Sequence, residues 1–250
     1  FLTCFMLAVN YSIVDIDSYF LLVYFMVSVW IGCGVLWIYL LFTENGKTIK
    51  TTFLFLFLLI PGIEIFNYNK ADESGNYLVE DYTMNVFKSV APGGMVFSYQ
   101  WDNWVSAAYY YQLVKGIRTD IVVIDKELCR RSWYIKQLEQ RYPWLIAKSR
   151  KAVDEFLNEL YKFEYHLPYE GPKIEEKYNA MFNSFIKENF NRIPIYVTNE
   201  IGREIGPEYK RIPVGLVYKL SDNSEYYPVA PIDWSFRPLE RKGKYPDMLM

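Results

Sequence analysis

The sequence predicts an α/β protein in which transmembrane helices precede a small Rossmann-like domain that has a parallel sheet and extra helices. Residues 18–43 contain no charged side chain, and about 20 apolar residues are enough to cross a bilayer core. Residues 95–143 alternate apolar, strand-like stretches with amphipathic, helix-like ones, as parallel strands joined by helical crossovers do. Residues 67–76 between these regions are polar and contain Gly75, which indicates a linker.

Residues 1–66 are predicted to hold the last two or three spans of a larger membrane domain. The segment at 18–43 is the strongest candidate, and the alternative for it is a buried helix of a soluble protein. Residues 1–14 are uncharged, and residues 51–63 are apolar but short, so both are weaker candidates. The chain begins with Phe1 inside an apolar run, which leads us to expect that further spans precede it.

Lysines in one short loop predict the orientation. Residues 43–51 carry Lys47 and Lys50, whereas residues 10–18 carry Asp15 and Asp17. Lysine and arginine favour the cytoplasmic side of a membrane. We therefore expect an integral membrane protein with residues 43–51 inside, residues 10–18 outside and everything after Phe66 outside. The soluble domain, residues 77–250, then lies on the extracytoplasmic side.

Within the soluble domain, apolar periodicity predicts strands at 95–99, 121–125, 194–199 and 215–220. Helices are predicted at 77–90, 102–116, 132–142, 151–163 and 174–190. Asp102 and Ser132 stand where the N-caps of two helices would be, and Gly116 stands where a helix would end.

Composition excludes several functions. The chain has 27 basic and 29 acidic residues, which gives no electrostatic basis for a nucleic-acid partner. Glycine-rich phosphate loops and zinc-ligand clusters are absent from the sequence, so no cofactor and no metal ion are predicted. Cys4, Cys33 and Cys129 do not form a disulfide framework, and His166 has no serine or cysteine partner nearby in the sequence.

Candidate binding residues follow the predicted strands, because ligands of open parallel sheets gather beyond the carboxyl ends of the strands. Carboxylates accept hydrogen bonds from sugar hydroxyls, and aromatic rings cover the apolar face of a sugar, so the set suits carbohydrate. The structural alternatives are that Asp102 only caps a helix and that Asp125 only pairs with a neighbouring arginine. The candidates are Trp101, Asp102, Asn103, Asp125, Glu127, Arg130, Arg131 and Glu200.

The segment 98–143 resembles a bacterial and animal family of multi-pass membrane proteins that was long a domain of unknown function. That family includes the animal protein O-mannosyltransferase that modifies receptor ectodomains. The resemblance rests on Asp102-Asn103, the tyrosines at 109–111, the Gly-x-Arg-x-Asp run at 116–120 and the apolar strand at 121–124. Segments 15–21, 30–34, 193–200 and 212–220 also look like the family's last spans and later strands. Many members have Gly-Asp-Asn-Asp where this chain has residues 101–104, so the central Asp-Asn alone is carried over.

The resemblance implies a glycosyltransferase that takes its sugar from a polyprenyl-phosphate donor and faces away from the cytoplasm. Its acceptor would be a protein or a glycan. The catalytic acid of such enzymes belongs to an early extracytoplasmic loop, so no catalytic residue is transferred to this chain. The rival function is a non-enzymatic, membrane-anchored module that binds glycan or protein, and a third is a domain that only braces the membrane portion.

Overall fold

The computed structural model describes residues 1–10, 19–42, 61–68, 72, 74–222 and 231–238. Two compact units are present. One comprises Phe1–Glu73 and Lys242–Met250, and the other comprises Ser74–Arg241.

The described part of the first unit is helical. It contains α1 (Leu2–Val9), α2 (Leu21–Phe42) and α3 (61–68). The stretch Leu21–Leu40 has a mean hydropathy of 2.2 and is long enough to cross a membrane, unlike any other helix among the described residues. The described residues exclude 11–18 and 43–50, on which the predicted orientation depends. They also exclude residues 51–60 of the third predicted span.

The second unit contains a five-stranded mixed sheet. Its strands are β1 (Met95–Ser98), β2 (Val122–Asp125), β3 (Ile195–Val197), β4 (Lys210–Val214) and β5 (Val217–Ser221). They lie in the order β2-β1-β3-β5-β4. β1 is parallel to both β2 and β3, whereas β5 is antiparallel to β3 and β4. The predicted parallel sheet is therefore correct for β1 to β3 and wrong for the β4–β5 hairpin.

Strand β4 was not predicted because its sequence does not look like a strand. Pro213 cannot donate a ladder hydrogen bond, but β4 lies at the edge of the sheet, where proline is tolerated. Gly215 is the first residue of the two-residue turn to β5. Its φ of +61° lies in the left-handed region, which glycine adopts readily. A Cβ atom on Gly215 would also lie 2.2 Å from Ser89 Oγ.

Helices cover both faces of this sheet. On one face lie α4 (Leu78–Ser89), a π-helical turn (Trp101–Val105) and α5 (Ser106–Leu113). On the other lie a short 3₁₀ turn (Leu128–Arg130), α6 (Ser132–Arg141), α7 (Pro143–Lys148), α8 (Arg150–Glu164) and α9 (Gly171–Asn189). In β1, Val96 packs in the core under α4 and α5, and Phe97 packs in the core under α6–α9. The ring centroids of Phe97 and Phe182 lie 5.5 Å apart.

The apolar residues of α9 that recur at helical spacing face the core, and Tyr178, Phe182, Phe185 and Ile186 are buried. In α8, by contrast, Tyr161 is 51% exposed. Ser132 does not cap α6, because it is the first residue of that helix and its N–H donates to Glu164 Oε1 at 3.0 Å.

The Gly-x-Arg-x-Asp run forms a clamp on the end of α4. Arg118 donates through its guanidinium to the carbonyl oxygens of Phe87 and Val90, the latter at 3.0 Å. Its Nε donates to Asp120 Oδ1 at 3.0 Å, and Asp120 Oδ2 accepts the N–H of Gly93 at 2.9 Å. Carbonyls at the end of a helix lack intrahelical partners, so the clamp satisfies them and fixes the turn from α4 into β1.

Replacing the forked cation of the clamp should destabilise the second unit. An Arg118→Lys substitution keeps the charge but cannot reach both carbonyls and Asp120 together. We expect the free energy of unfolding to fall by about 2 kcal/mol, measured by urea titration in detergent with tryptophan fluorescence. Arg203→Lys, at an exposed arginine, should leave it unchanged, and equal effects of the two substitutions would contradict the clamp.

The clamp should also weaken in acid. The Arg118 guanidinium lowers the pKa of Asp120 from 3.8 to about 2. A carboxylate with a lowered folded pKa stabilises the fold above its unfolded pKa, and that contribution disappears as the pH falls through the folded value. The difference in unfolding midpoint between wild type and Asp120→Asn should be constant above about pH 5, fall as the pH decreases, and be lost below about pH 2. A difference that does not change with pH would exclude this role for the carboxylate.

Candidate functional site

The chain connections reverse direction between the carboxyl ends of β1 and β3. The connection after β1 leads to β2 on one side, and the connection after β2 returns to β3 on the other side of β1. Such a reversal of direction is where open α/β sheets bind ligands. The chain leaves β1 through Tyr99 and Gln100 and leaves β3 through Asn199 and Glu200.

Glu200 ties the two strand exits together. One carboxylate oxygen accepts Ser98 Oγ–H at 2.8 Å, the Tyr99 N–H at 3.2 Å and the Thr198 hydroxyl. The other accepts Gln100 Nε2–H at 2.9 Å. The predicted site residue Glu200 thus lies at the centre of a hydrogen-bonded cluster that spans both strands.

Gln100 extends this cluster to α4. Its Oε1 accepts the hydroxyl hydrogen of Tyr82 at 2.9 Å. Burial, the largest effect, and the neighbouring Glu200 raise the pKa of Tyr82 above its ordinary value, so this hydroxyl stays a donor. The orientation of the Gln100 amide is therefore set from both sides.

The π-helical turn presents three predicted site residues to solvent. The N–H groups of Trp104 and Val105 both donate to the carbonyl of Gln100, at 3.0 and 2.9 Å, and this wide turn buries both side chains. Trp101, Asp102 and Asn103 are exposed instead. π-Helical turns occur frequently at functional sites.

Asp102 does not cap the helix, contrary to the expectation above. The turn begins after Gln100, and no side chain caps it. Among the described residues, no hydrogen bond or ion pair engages the side chains of Asp102 and Asn103. The rings of Trp101 and Tyr109 are inclined at 68° with their centroids 6.3 Å apart, and Trp101 remains 45% exposed.

The predicted residues after β2 form a separate group. Asp125 is 1% exposed, and its Oδ1 accepts the Leu128 N–H at 2.7 Å, so it shapes the turn after β2. The alternative that Asp125 only pairs with a neighbouring arginine is wrong. Arg130 donates to Glu127 at 3.1 Å and to both carboxylate oxygens of Glu175 at 2.7 and 3.2 Å.

Burial distinguishes Asp125 from the other residues of this group. It disfavours the charged form of the carboxyl and so raises the pKa of Asp125 above its ordinary value. The exposed members of this group are Glu127 and Arg131. Of the predicted residues after β2, these two are the most open to solvent.

Lys126 and Glu204 were missed in the sequence. Lys126 is 8% exposed, its Nζ lies 2.9 Å from Glu204 Oε1, and it is 5.9 Å from the centre of the Tyr99 ring. Its N–H continues the sheet by donating to the Ser98 carbonyl at 2.7 Å. A lysine directly after an apolar strand was the signal that could have indicated this position.

The edge combines hydrogen-bond acceptors, a buried cation and exposed aromatic rings. Such groups can hold the hydroxyls and the apolar face of a sugar. The described residues contain no cluster of three or more His, Cys, Asp or Glu side chains that could hold a metal ion. An open cleft of about 330 Å³ lies at the opposite end of β3, beside Pro194 and Lys219, away from the predicted site residues.

Replacing the Glu200 carboxylate by a neutral amide should destabilise the second unit. Glu200→Gln presents one acceptor oxygen, so its NH₂ group must face either the Gln100 amide or the hydroxyl and backbone donors. We expect a loss of about 1–3 kcal/mol in the free energy of unfolding, measured by urea titration. Glu208→Gln, at an exposed glutamate, is the control.

Exchanging the side chains of residues 100 and 200 should recover part of the free energy of unfolding that Glu200→Gln loses. In the double variant Gln100→Glu/Glu200→Gln the donor and acceptor between the two positions are reversed, and Tyr82 still has an acceptor. A double variant less stable than the additive expectation would contradict the proposed pairing.

Residues 79–150 match the family model described as TMEM260-associated domain 2. The matched segment runs from α4 to the first residue of α8 and includes β1, the π-helical turn and β2. No curated protein and no solved structure matches the chain. The match is consistent with the resemblance of residues 98–143 to the family of the animal protein O-mannosyltransferase. Over residues 79–150, the chain is therefore similar to a domain associated with TMEM260.

Proposed function

We propose that the chain belongs to a membrane glycosyltransferase of the protein O-mannosyltransferase type and carries its acceptor-recognition domain. The observation that carries the proposal is the TMEM260-associated match at 79–150 in one chain with a helix, Leu21–Leu40, able to cross a membrane. A polyprenyl-phosphate sugar is the donor, and a protein or glycan is the acceptor. The residues that transfer the sugar are not assigned to this chain.

The lipid bilayer is the first partner in this proposal. A lipid-linked donor keeps its polyprenyl chain in the bilayer, so an enzyme that uses it must be held at the membrane. Lys47 and Lys50 support a cytoplasmic loop after α2. In this proposal residues 51–66 cross the membrane again, so that the second unit lies on the extracytoplasmic side.

Acceptor recognition is assigned to the carboxyl edge of the sheet. Trp101, Asp102 and Asn103 supply an exposed indole, a carboxylate and an amide. Glu200 holds the two strand exits in register beside them. Glu127 and Arg131, exposed after β2, extend the polar surface, whereas Asp125 and Arg130 support it through Leu128 and Glu175.

The non-enzymatic binding module remains the second candidate. The same exposed residues on the π-helical turn would serve it, since sugar binding needs no reaction. The two candidates differ in one outcome, which is whether sugar is transferred from a lipid-linked donor.

Membranes that contain the native protein should transfer mannose from polyprenyl-phosphate mannose to an acceptor. Trp101→Ala and Asp102→Ala should each raise the KM for the acceptor about tenfold, which corresponds to a loss of about 1.4 kcal/mol of binding free energy. The KM for the lipid-linked donor should stay unchanged. Transfer is measured with radiolabelled mannose.

Trp144→Ala is the matched control, because Trp144 is 38% exposed on α7 and Trp101 is 45% exposed on the π-helical turn. It should leave both KM values unchanged. Glycan binding by the chain without any transfer from lipid-linked donors would favour the binding module. Unchanged acceptor KM in both site variants would refute the recognition role of the edge.

A further inference from the structure

A short C-terminal segment lies along α4 and is held mainly through its backbone. Asn85 donates its Nδ2–H to the Ser235 carbonyl at 2.8 Å and accepts the Ser235 N–H at 3.0 Å. Lys88 donates to the Asp233 carbonyl at 2.6 Å and to Ser235 Oγ at 2.8 Å. A side-chain amide that binds both main-chain groups of one residue recognises extended backbone, whatever side chain that residue carries.

One side chain of the segment is recognised specifically. The N–H of Arg237 donates to Asp81 Oδ2 at 2.7 Å and its Nε donates to Oδ1 at 2.9 Å. The guanidinium also lies 2.9 Å from Glu80 and 3.8 Å from the centre of the Tyr77 ring. Its hydrogen bonds lower the pKa of Asp81, so this carboxylate is charged.

Residues Asp81, Asn85 and Lys88 share one face of α4, because they are spaced four and three positions apart. We call them the α4 seat. Asp81 is 6% exposed and Asn85 is fully buried. With residues 233–237 in place, Asp81 and Asn85 are withdrawn from water, and each polar side chain of the seat has a hydrogen-bond partner in the segment.

The large side chains of the segment do not hold it in place. Trp234 is 39% exposed and Phe236 is 73% exposed, and their rings stack on each other with centroids 6.1 Å apart. A permanent structural strap would be expected to bury such residues in a core. Main-chain contacts, the Ser235 hydroxyl and one arginine hold this segment, and other sequences can supply all three.

We propose that the α4 seat binds extended polypeptide, that residues 233–237 occupy it in cis, and that a polypeptide in trans can replace them. The trans ligand needs an arginine two residues after the residue whose backbone Asn85 binds. This inference goes beyond the proposed function and does not depend on sugar transfer. A tethered segment competes at an effective concentration of about millimolar, so an untethered peptide binds weakly until the cis segment is loosened.

The test uses the full 250-residue chain in detergent and a fluorescent peptide with the sequence of residues 231–238, followed by anisotropy. The peptide should bind Arg237→Ala at least about tenfold more tightly than wild type, because the fraction of open seats rises. Arg192→Ala removes the same charge from an exposed arginine elsewhere and should behave like wild type.

Changes in the peptide separate seat recognition from misfolding of the protein. Replacing the peptide's arginine by glutamine should weaken binding to the Arg237→Ala chain about tenfold, because a bidentate charged contact is lost. Replacing its tryptophan and phenylalanine by alanine should change the affinity less than about threefold, since these side chains point away from the seat. A scrambled peptide that binds equally well, or no gain in Arg237→Ala, overturns the proposal.

Discussion

Strand β1 has no free side, and the arrangement of the second unit follows from that constraint. Its four residues are buried, it pairs with β2 and β3 on its two edges, and helices cover both faces. A strand enclosed in this way can form polar side-chain contacts only at its ends. Ser98, the last residue of β1, donates to Glu200 beyond β3, so the same contact ends the strand and creates the polar edge.

Helix α4 connects three parts of the unit because its sequence is polar on more than one face. Tyr82 donates to Gln100 at the carboxyl edge, whereas Asp81, the preceding residue, holds Arg237. At the C-terminal end of α4, the carbonyl oxygens of Phe87 and Val90 accept hydrogen bonds from the Arg118 guanidinium. Neighbouring positions of one helix thus contact the candidate site and the C-terminal segment.

Much of this fold could be predicted from local pattern, and the exceptions have physical causes. Apolar strands such as 122–125 and the long stripe of α9 depend on periodicity, which the sequence displays directly. Strand β4 exists because β5 offers it an edge, and its own residues, Pro213 among them, do not favour a strand. Asp102 has a residue type that commonly caps helices, but the π-helical turn begins at Trp101 and leaves it in solvent.

The candidate site was predictable in its location and only partly in the roles of its residues. Strand order fixes where the chain connections reverse direction, but hydrogen bonds decide which side chains remain available, and those depend on residues 100 positions apart. Glu200 accepts from four groups and therefore has little capacity left for a ligand. Asp102 keeps its acceptors open beside the exposed Trp101. Recognition of a sugar hydroxyl at this edge is therefore expected to rest on the π-helical turn, with Glu200 holding the strands that support it.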